Sequence, residues 1–181
     1  MKDKFLNNEF WNLTFQGGFQ RANIYKEEVS EKVRKKFREQ LRTYIETLIE
    51  IKYITEVSEQ EHIKNIKGIV KFSNINLING NPIPINFGVA QKLLNLYLKY
   101  IWCAGKLETT PIHFPIDRLI QILLNSEAKK VEIQKRELKA WTQFEDETDY
   151  MEVIRFAEKL RDKKYTELTL AEMELEIFQR R

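Results

Sequence analysis

The chain has 181 residues, 43% hydrophobic and 31% charged, with a net charge of +3 at pH 7 and a pI near 8.8. That composition is of a globular protein and excludes a wholly disordered chain, and the mild charge excess is compatible with a polyanionic partner without requiring one. A single cysteine, Cys103, excludes an intrachain disulfide framework. The two histidines, His62 and His113, lie too far apart for a His-x-x-x-His metal motif, so neither a metal nor another cofactor is implied. The opening residues carry no apolar signal-type core. The longest apolar run is interrupted by Lys92 and Lys99 and is too short for a bilayer. The expectation is one domain over 1–181, in the cytoplasm, without a membrane partner.

Residues 1–25 gather Phe5, Phe10, Trp11, Phe15, Phe19 and Tyr25 around Gly17-Gly18, which suggests a turn or a close backbone approach. A phosphate-binding loop is the sharper alternative. From Tyr25 to Tyr53 there is neither Gly nor Pro, and Val29, Val33, Phe37, Leu41, Tyr44, Ile45, Leu48 and Ile51 recur at helical steps. Arg34, Arg38 and Arg42 form a row on another face. That row could grip phosphates, but the interleaved glutamates read better as a salt-bridged, solvated surface. Ser58 to Glu61 is a capping box that opens a helix to about Phe72 or Asn74. The segment 75–86, with Asn79-Gly80, Pro82 and Pro84, reads as a short hairpin or an extended connection.

The stretch 87–104 is the most apolar and reads as a buried central helix stopped by Gly105. Lys92, Asn95 and Lys99 share one stripe on it. Either that stripe faces a cleft or it marks where the helix reaches water. Cys103, inside the apolar run, reads as a buried and inert thiol. A loop stiffened by Pro111 and Pro115 comes next, then a short helix from Arg118 to about Leu124 and a charged helix over 127–140 ending near Trp141. A further helix begins at 146, and Thr169 to Glu172 is a second capping box before the last. The predicted fold is all-α: six to seven helices around the 87–104 helix.

The chemistry gathers at Gly88-Val89-Ala90-Gln91-Lys92 and at Pro115-Ile116-Asp117. This pairing resembles the helix-hairpin-helix DNA glycosylases of the 8-oxoguanine type, in which a Gly-Val-x-x-Lys opens a helix and a Pro-Val-Asp comes after it. The chain departs from the pattern at Ala90, where the family carries a second glycine, and in a longer stretch between lysine and aspartate. The resemblance implies a DNA partner and excision of a damaged or modified base, with or without lyase activity. It implies Lys92 as nucleophile and Asp117 as the carboxylate that activates it. Burial would lower the pKa of Lys92 and free its amine, and a carboxylate can take a proton or stabilise positive charge.

On this reading Gly88, Gln91, Asn95 and Lys99 belong to the DNA-facing set, the start of the central helix holds a phosphate, and His113 or Arg118 contacts the flanking one. Trp102, Phe114, Trp141 and Phe144 are the aromatics available to sandwich a flipped base. Plainer roles stand beside these: Asp117 as an N-cap, Lys92 as a snorkelling lysine, and the aromatics and His113 as core. A non-catalytic helical module that binds protein or nucleic acid, of a phage or bacterial-defence type, is the alternative of a different class. A small-ligand or nucleotide-binding protein using the Lys92/Asn95/Lys99 stripe is a third.

Overall fold

The computed structural model describes residues 1–25, 28–78 and 80–178. Among them the chain forms seven α-helices and no strand: α1 (Lys2–Phe19), α2 (Glu31–Lys52), α3 (Glu59–Ile75), α4 (Phe87–Cys103), α5 (Arg118–Lys130), α6 (Glu147–Lys164) and α7 (Leu170–Ile177). A 3-10 turn, Trp141–Gln143, precedes α6. The fold is an all-α bundle with α4 at its centre. No helix among the described residues is long and apolar enough to cross a membrane.

From Phe87 to Leu98 every residue of α4 except Leu96 is buried. Leu93, Leu94 and Leu98 have no exposed surface, each contributing roughly 1.5–3 kcal/mol of apolar burial. Asn86 caps the helix, its side chain accepting from the Val89 N–H at 3.0 Å. The main neighbours of α4 are α1 and α3, with the 3-10 turn across its first turn. Helix α2 packs on α3, and α5, α6 and α7 close the other side against one another.

Several expectations need correction. Gly17 and Gly18 lie inside the last turn of α1, not in a turn or phosphate loop. A Cβ on Gly17 would fall 2.8 Å from a Leu96 methyl, and one on Gly18 2.5 Å from a Leu93 methyl, so the pair serves the close approach of α1 to α4. Trp11, Phe15 and Phe19, four residues apart, line the inner side of α1, and Trp11 stacks on Tyr97 with ring centroids 4.2 Å apart. Two of the three arginines of the α2 row are ion-paired as expected, Arg38 with Glu31 at 2.6 Å and Arg42 with Glu46 at 3.1 Å, while Arg34 donates to the Val29 carbonyl at 2.9 Å.

Of the two readings open for 75–86, the described residues show the extended connection and not a hairpin ladder, with one isolated bridge, Ile78 to Asn81, and Gly80 at φ +83°. Asn79 of the predicted turn lies outside the described residues, and Pro82 and Pro84 cannot donate to a ladder. The two helices expected over 118–140 are a single helix, α5, that ends at Lys130, with Glu132 left-handed at φ +58°. Residues 133–140 are non-helical because side chains of α5 pin their backbone. Asn125 exchanges two hydrogen bonds with the Arg136 backbone (2.8 and 2.9 Å), and Gln121 two with that of Lys139 (2.9 and 3.2 Å). Cys103 is exposed at the end of α4, not buried.

Gly88 fixes how the 3-10 turn sits on α4. A Cβ there would come 1.7 Å from the Trp141 carbonyl oxygen, a backbone atom that cannot swing away. Gly88→Ala is expected to lower stability by about 3 kcal/mol in urea unfolding, as overpacking against a fixed neighbour does. Gly105→Ala, where φ is +68° but no atom stands within 4 Å, should cost only the left-handed penalty of about 1 kcal/mol. Equal losses at the two sites would remove the steric explanation.

Candidate active site

The polar stripe of α4 faces inward. Lys92 is 7% exposed, and its ammonium meets the Asp117 carboxylate Oδ2 at 3.4 Å. Its Nζ also lies 4.3 Å from the centre of the Trp141 ring, a cation–π contact. Burial pulls the Lys92 pKa below the ordinary lysine value; the Asp117 carboxylate opposes that pull, and the nearby Arg21 guanidinium adds to it. Asp117 uses its other oxygen, Oδ1, to accept from the Ile120 N–H at 3.0 Å, so it caps α5 while facing Lys92. The capping and charged roles are filled by different oxygens of one carboxylate.

Two turns along α4, Lys99 donates to both oxygens of Glu174 on α7, at 2.6 and 2.8 Å. The Phe178 ring lies 4.8 Å from the same ammonium. Glu174 is 2% exposed, and burial raises its pKa more than Lys99 lowers it, with the Asp117 charge adding to the rise. Both ion pairs line one cleft of about 330 Å³, together with Gln20 and Tyr100.

Gln91 and Asn95 lie deeper. Both are fully buried. The Gln91 amide donates to the Ile116 carbonyl at 2.9 Å and accepts from the Ile116 N–H at 3.2 Å. Asn95 donates to the Tyr150 hydroxyl at 3.0 Å, and that hydroxyl shares a hydrogen bond with His113 Nδ1 at 3.0 Å. Tyr53 accepts from Asn65 at 3.2 Å and shares a hydrogen bond with His62 Nδ1 at 2.8 Å. Burial holds both imidazoles in the neutral form. The His113 Nε2 lies 3.5 Å from Glu59, whereas among the described residues His62 Nε2 and Asn95 Oδ1 make no hydrogen bond of normal geometry, although Asn95 lies near enough to His62 to oppose the fall of its pKa.

The structure thus brings Lys92, Lys99, Asp117 and Trp141 together and sends the other predicted residues elsewhere. Gly88 donates its N–H to the Phe144 carbonyl at 2.9 Å, and Asn86 takes that of Val89, so these first-turn groups of α4 are spent on protein rather than on a phosphate. His113 is 1% exposed and beyond reach of a flanking phosphate. Phe114 and Phe144 are core residues. Trp102 is half-buried on the last turn of α4, about 15 Å along the axis from Lys92. Arg118 is exposed beside Asp117. Sequence reasoning missed Glu174, Gln20, Tyr100 and Phe178. Glu174 did leave a signal: it falls one turn from both Leu170 and Ile177, an acid on the inner face of α7. Among the described residues, no three His, Cys, Asp or Glu side chains gather as a metal site would require. Comparison with family models, with curated proteins and with solved structures found no match.

The buried imidazoles set a pH dependence. Burial, with His113 adding to it, holds His62 well below 6.5; burial, with Arg155 adding to it, pushes His113 down to about 3. In the unfolded chain both take up a proton near 6.5, so the unfolded state binds more protons below that pH and stability falls as pH falls. The loss should reach up to about 1.4 kcal/mol per pH unit for each histidine, until the folded state titrates as well. Urea unfolding at successive pH values should show this slope in the parent and a smaller one in His113→Gln. A profile that stays flat below neutral pH would contradict neutral burial.

Proposed function

We propose that this protein is a DNA glycosylase that excises a damaged or modified base, with Lys92 as nucleophile and Asp117 as the carboxylate that receives its proton. The observation that carries the reading is the Lys92–Asp117 pair, 3.4 Å apart at a cleft wall, with the lysine buried and the carboxylate 27% exposed. Burial lowers the cost of removing the ammonium proton, and Asp117 is the nearest base to take it. The neutral Nζ then attacks the sugar C1′, forming a C–N bond as the glycosidic bond breaks and its electron pair leaves with the base. Opening of the sugar ring gives a Schiff base. The Trp141 ring lies 4.3 Å from the Lys92 ammonium and steadies it, while the aromatic lining of the cleft comes from Tyr100 and Phe178. With the α4 N-terminus sealed, the strand is held by the exposed Arg21 and Arg118, one near Lys92 and one next to Asp117.

Borohydride added to the protein with base-modified duplex DNA should trap a covalent adduct, and Lys92→Ala should abolish it while keeping the parent's circular dichroism. Asp117→Asn preserves the cap, because Asn caps as well as Asp. It should cut single-turnover base excision roughly a hundredfold or more, the scale of a lost general base or charge. It should also lower the melting temperature, since it strands the buried Lys92 charge. Trapping that survives Lys92→Ala would remove Lys92 from the reaction. Neither adduct nor abasic site across a panel of modified bases would leave the non-catalytic binding module as the reading.

A further inference from the structure

We infer that Gln91 is a positioning residue for the Lys92–Asp117 pair: its side-chain amide clamps the Ile116 backbone and so holds the Asp117 carboxylate in register with its neighbour on α4. The inference rests on the proposed glycosylase reading for its functional meaning, though the clamp itself can be measured without any reaction.

Gln91 immediately precedes Lys92 and Ile116 immediately precedes Asp117, so each partner of the clamp is bonded through the backbone to one partner of the ion pair. The amide donates to the Ile116 carbonyl at 2.9 Å and accepts from the Ile116 N–H at 3.2 Å. Because Ile116 offers one donor and one acceptor, only one orientation of the amide satisfies both. This is the pairing a neighbouring strand would give, supplied by one side chain. Burial of Phe114, Pro115 and Ile116 and the bonds of Asp117 to Ile120 and Gln121 tie this segment to the core and to α5; the Gln91 clamp ties its backbone to α4, the helix that carries Lys92. Pro115 has no N–H, and the Asp117 backbone is extended. Asn95 steadies the amide from behind, donating to Gln91 Oε1 at 3.4 Å while bonded to Tyr150. Gln91 and Ile116 have no exposed surface, so water cannot replace the lost partners if the clamp is removed.

The readout is the titration of Lys92, monitored by NMR of the protein with its lysines labelled by carbon-13 reductive methylation. The charged groups facing Lys92 are Asp117 from the start of α5 and Arg21 from the chain after α1, with Lys99 and Glu174 farther along the cleft. Asp117 holds the Lys92 pKa up against burial, so releasing Asp117 must let it fall. Gln91→Met keeps the volume and removes the clamp. The Lys92 pKa should drop by about one pH unit, as should that of Asp117→Asn, and the double variant should fall no further than Asp117→Asn alone. If Gln91→Met does not fold, Gln91→Asn, one methylene too short to reach Ile116, carries the same test. A Lys92 titration at the parent value in a folded Gln91 variant overturns the inference. So does an additive double variant, which would mean that Gln91 acts on Lys92 without Asp117. Failure of the glycosylase reading shows separately, as absence of the borohydride adduct in the parent.

Discussion

Lys92 gives up most of its water when α4 packs between α1, α3 and the 3-10 turn, and that desolvation governs the site around it. A lone ammonium in such a place would cost several kcal/mol, so the fold must answer it from within. The answer is Asp117 at 3.4 Å and the face of Trp141 at 4.3 Å. Every other polar residue of the stripe meets the same demand. Asn95 is answered by Tyr150, and Lys99 by Glu174. These partners come from the start of α5 and from α6 and α7, all later in the chain than α4. The inward polar row thus adds ion pairs and hydrogen bonds to the apolar core that the second half of the chain shares with the central helix.

Helix identity was largely legible because periodicity is local. The stripe from Val29 to Ile51, the caps at Ser58 and Thr169, and the apolar run of α4 each announce a helix within one or two turns. The failures came where a distant partner decided the outcome. Residues 127–140 are charged and free of Gly and Pro, so their composition favours helix. Two α5 amides, Gln121 and Asn125, capture the backbone beyond Lys130 and keep it from continuing the helix. At Gly17-Gly18 the sequence left both a turn and a close approach open, and only the leucines of α4 choose between them.

The candidate site was legible to a different depth. The resemblance of two short motifs to a known family singled out Lys92 and Asp117, and the structure sets them 3.4 Å apart in one cleft. Spacing could not say that the α4 stripe turns inward, because a helix with one polar row looks the same whether water or buried partners complete it. For the same reason Gln91, Asn95 and His113 read as groups available to a ligand. In the fold Gln91 is committed to Ile116, Asn95 to Tyr150, and His113 to Tyr150 and Glu59. A polar residue in sequence is only a demand for a partner.

The cleft holds two lysine–carboxylate pairs of similar composition, and their geometry separates them. Lys99 engages both Glu174 oxygens at 2.6 and 2.8 Å, and Glu174 is only 3% exposed in its side chain. Withdrawing Lys99 would strand a buried carboxylate that has no second donor among the described residues, so that pair is a brace between α4 and α7. Lys92 makes a single, longer contact, and its partner keeps 27% of its side-chain surface and a separate bond to the α5 backbone. If Lys92 turns towards a ligand, Asp117 stays solvated and anchored. Chemistry requires a group that can leave its resting partner without unfolding its surroundings. Of the two lysines on this face, Lys92 alone meets that condition, and burial has already moved it towards the neutral amine.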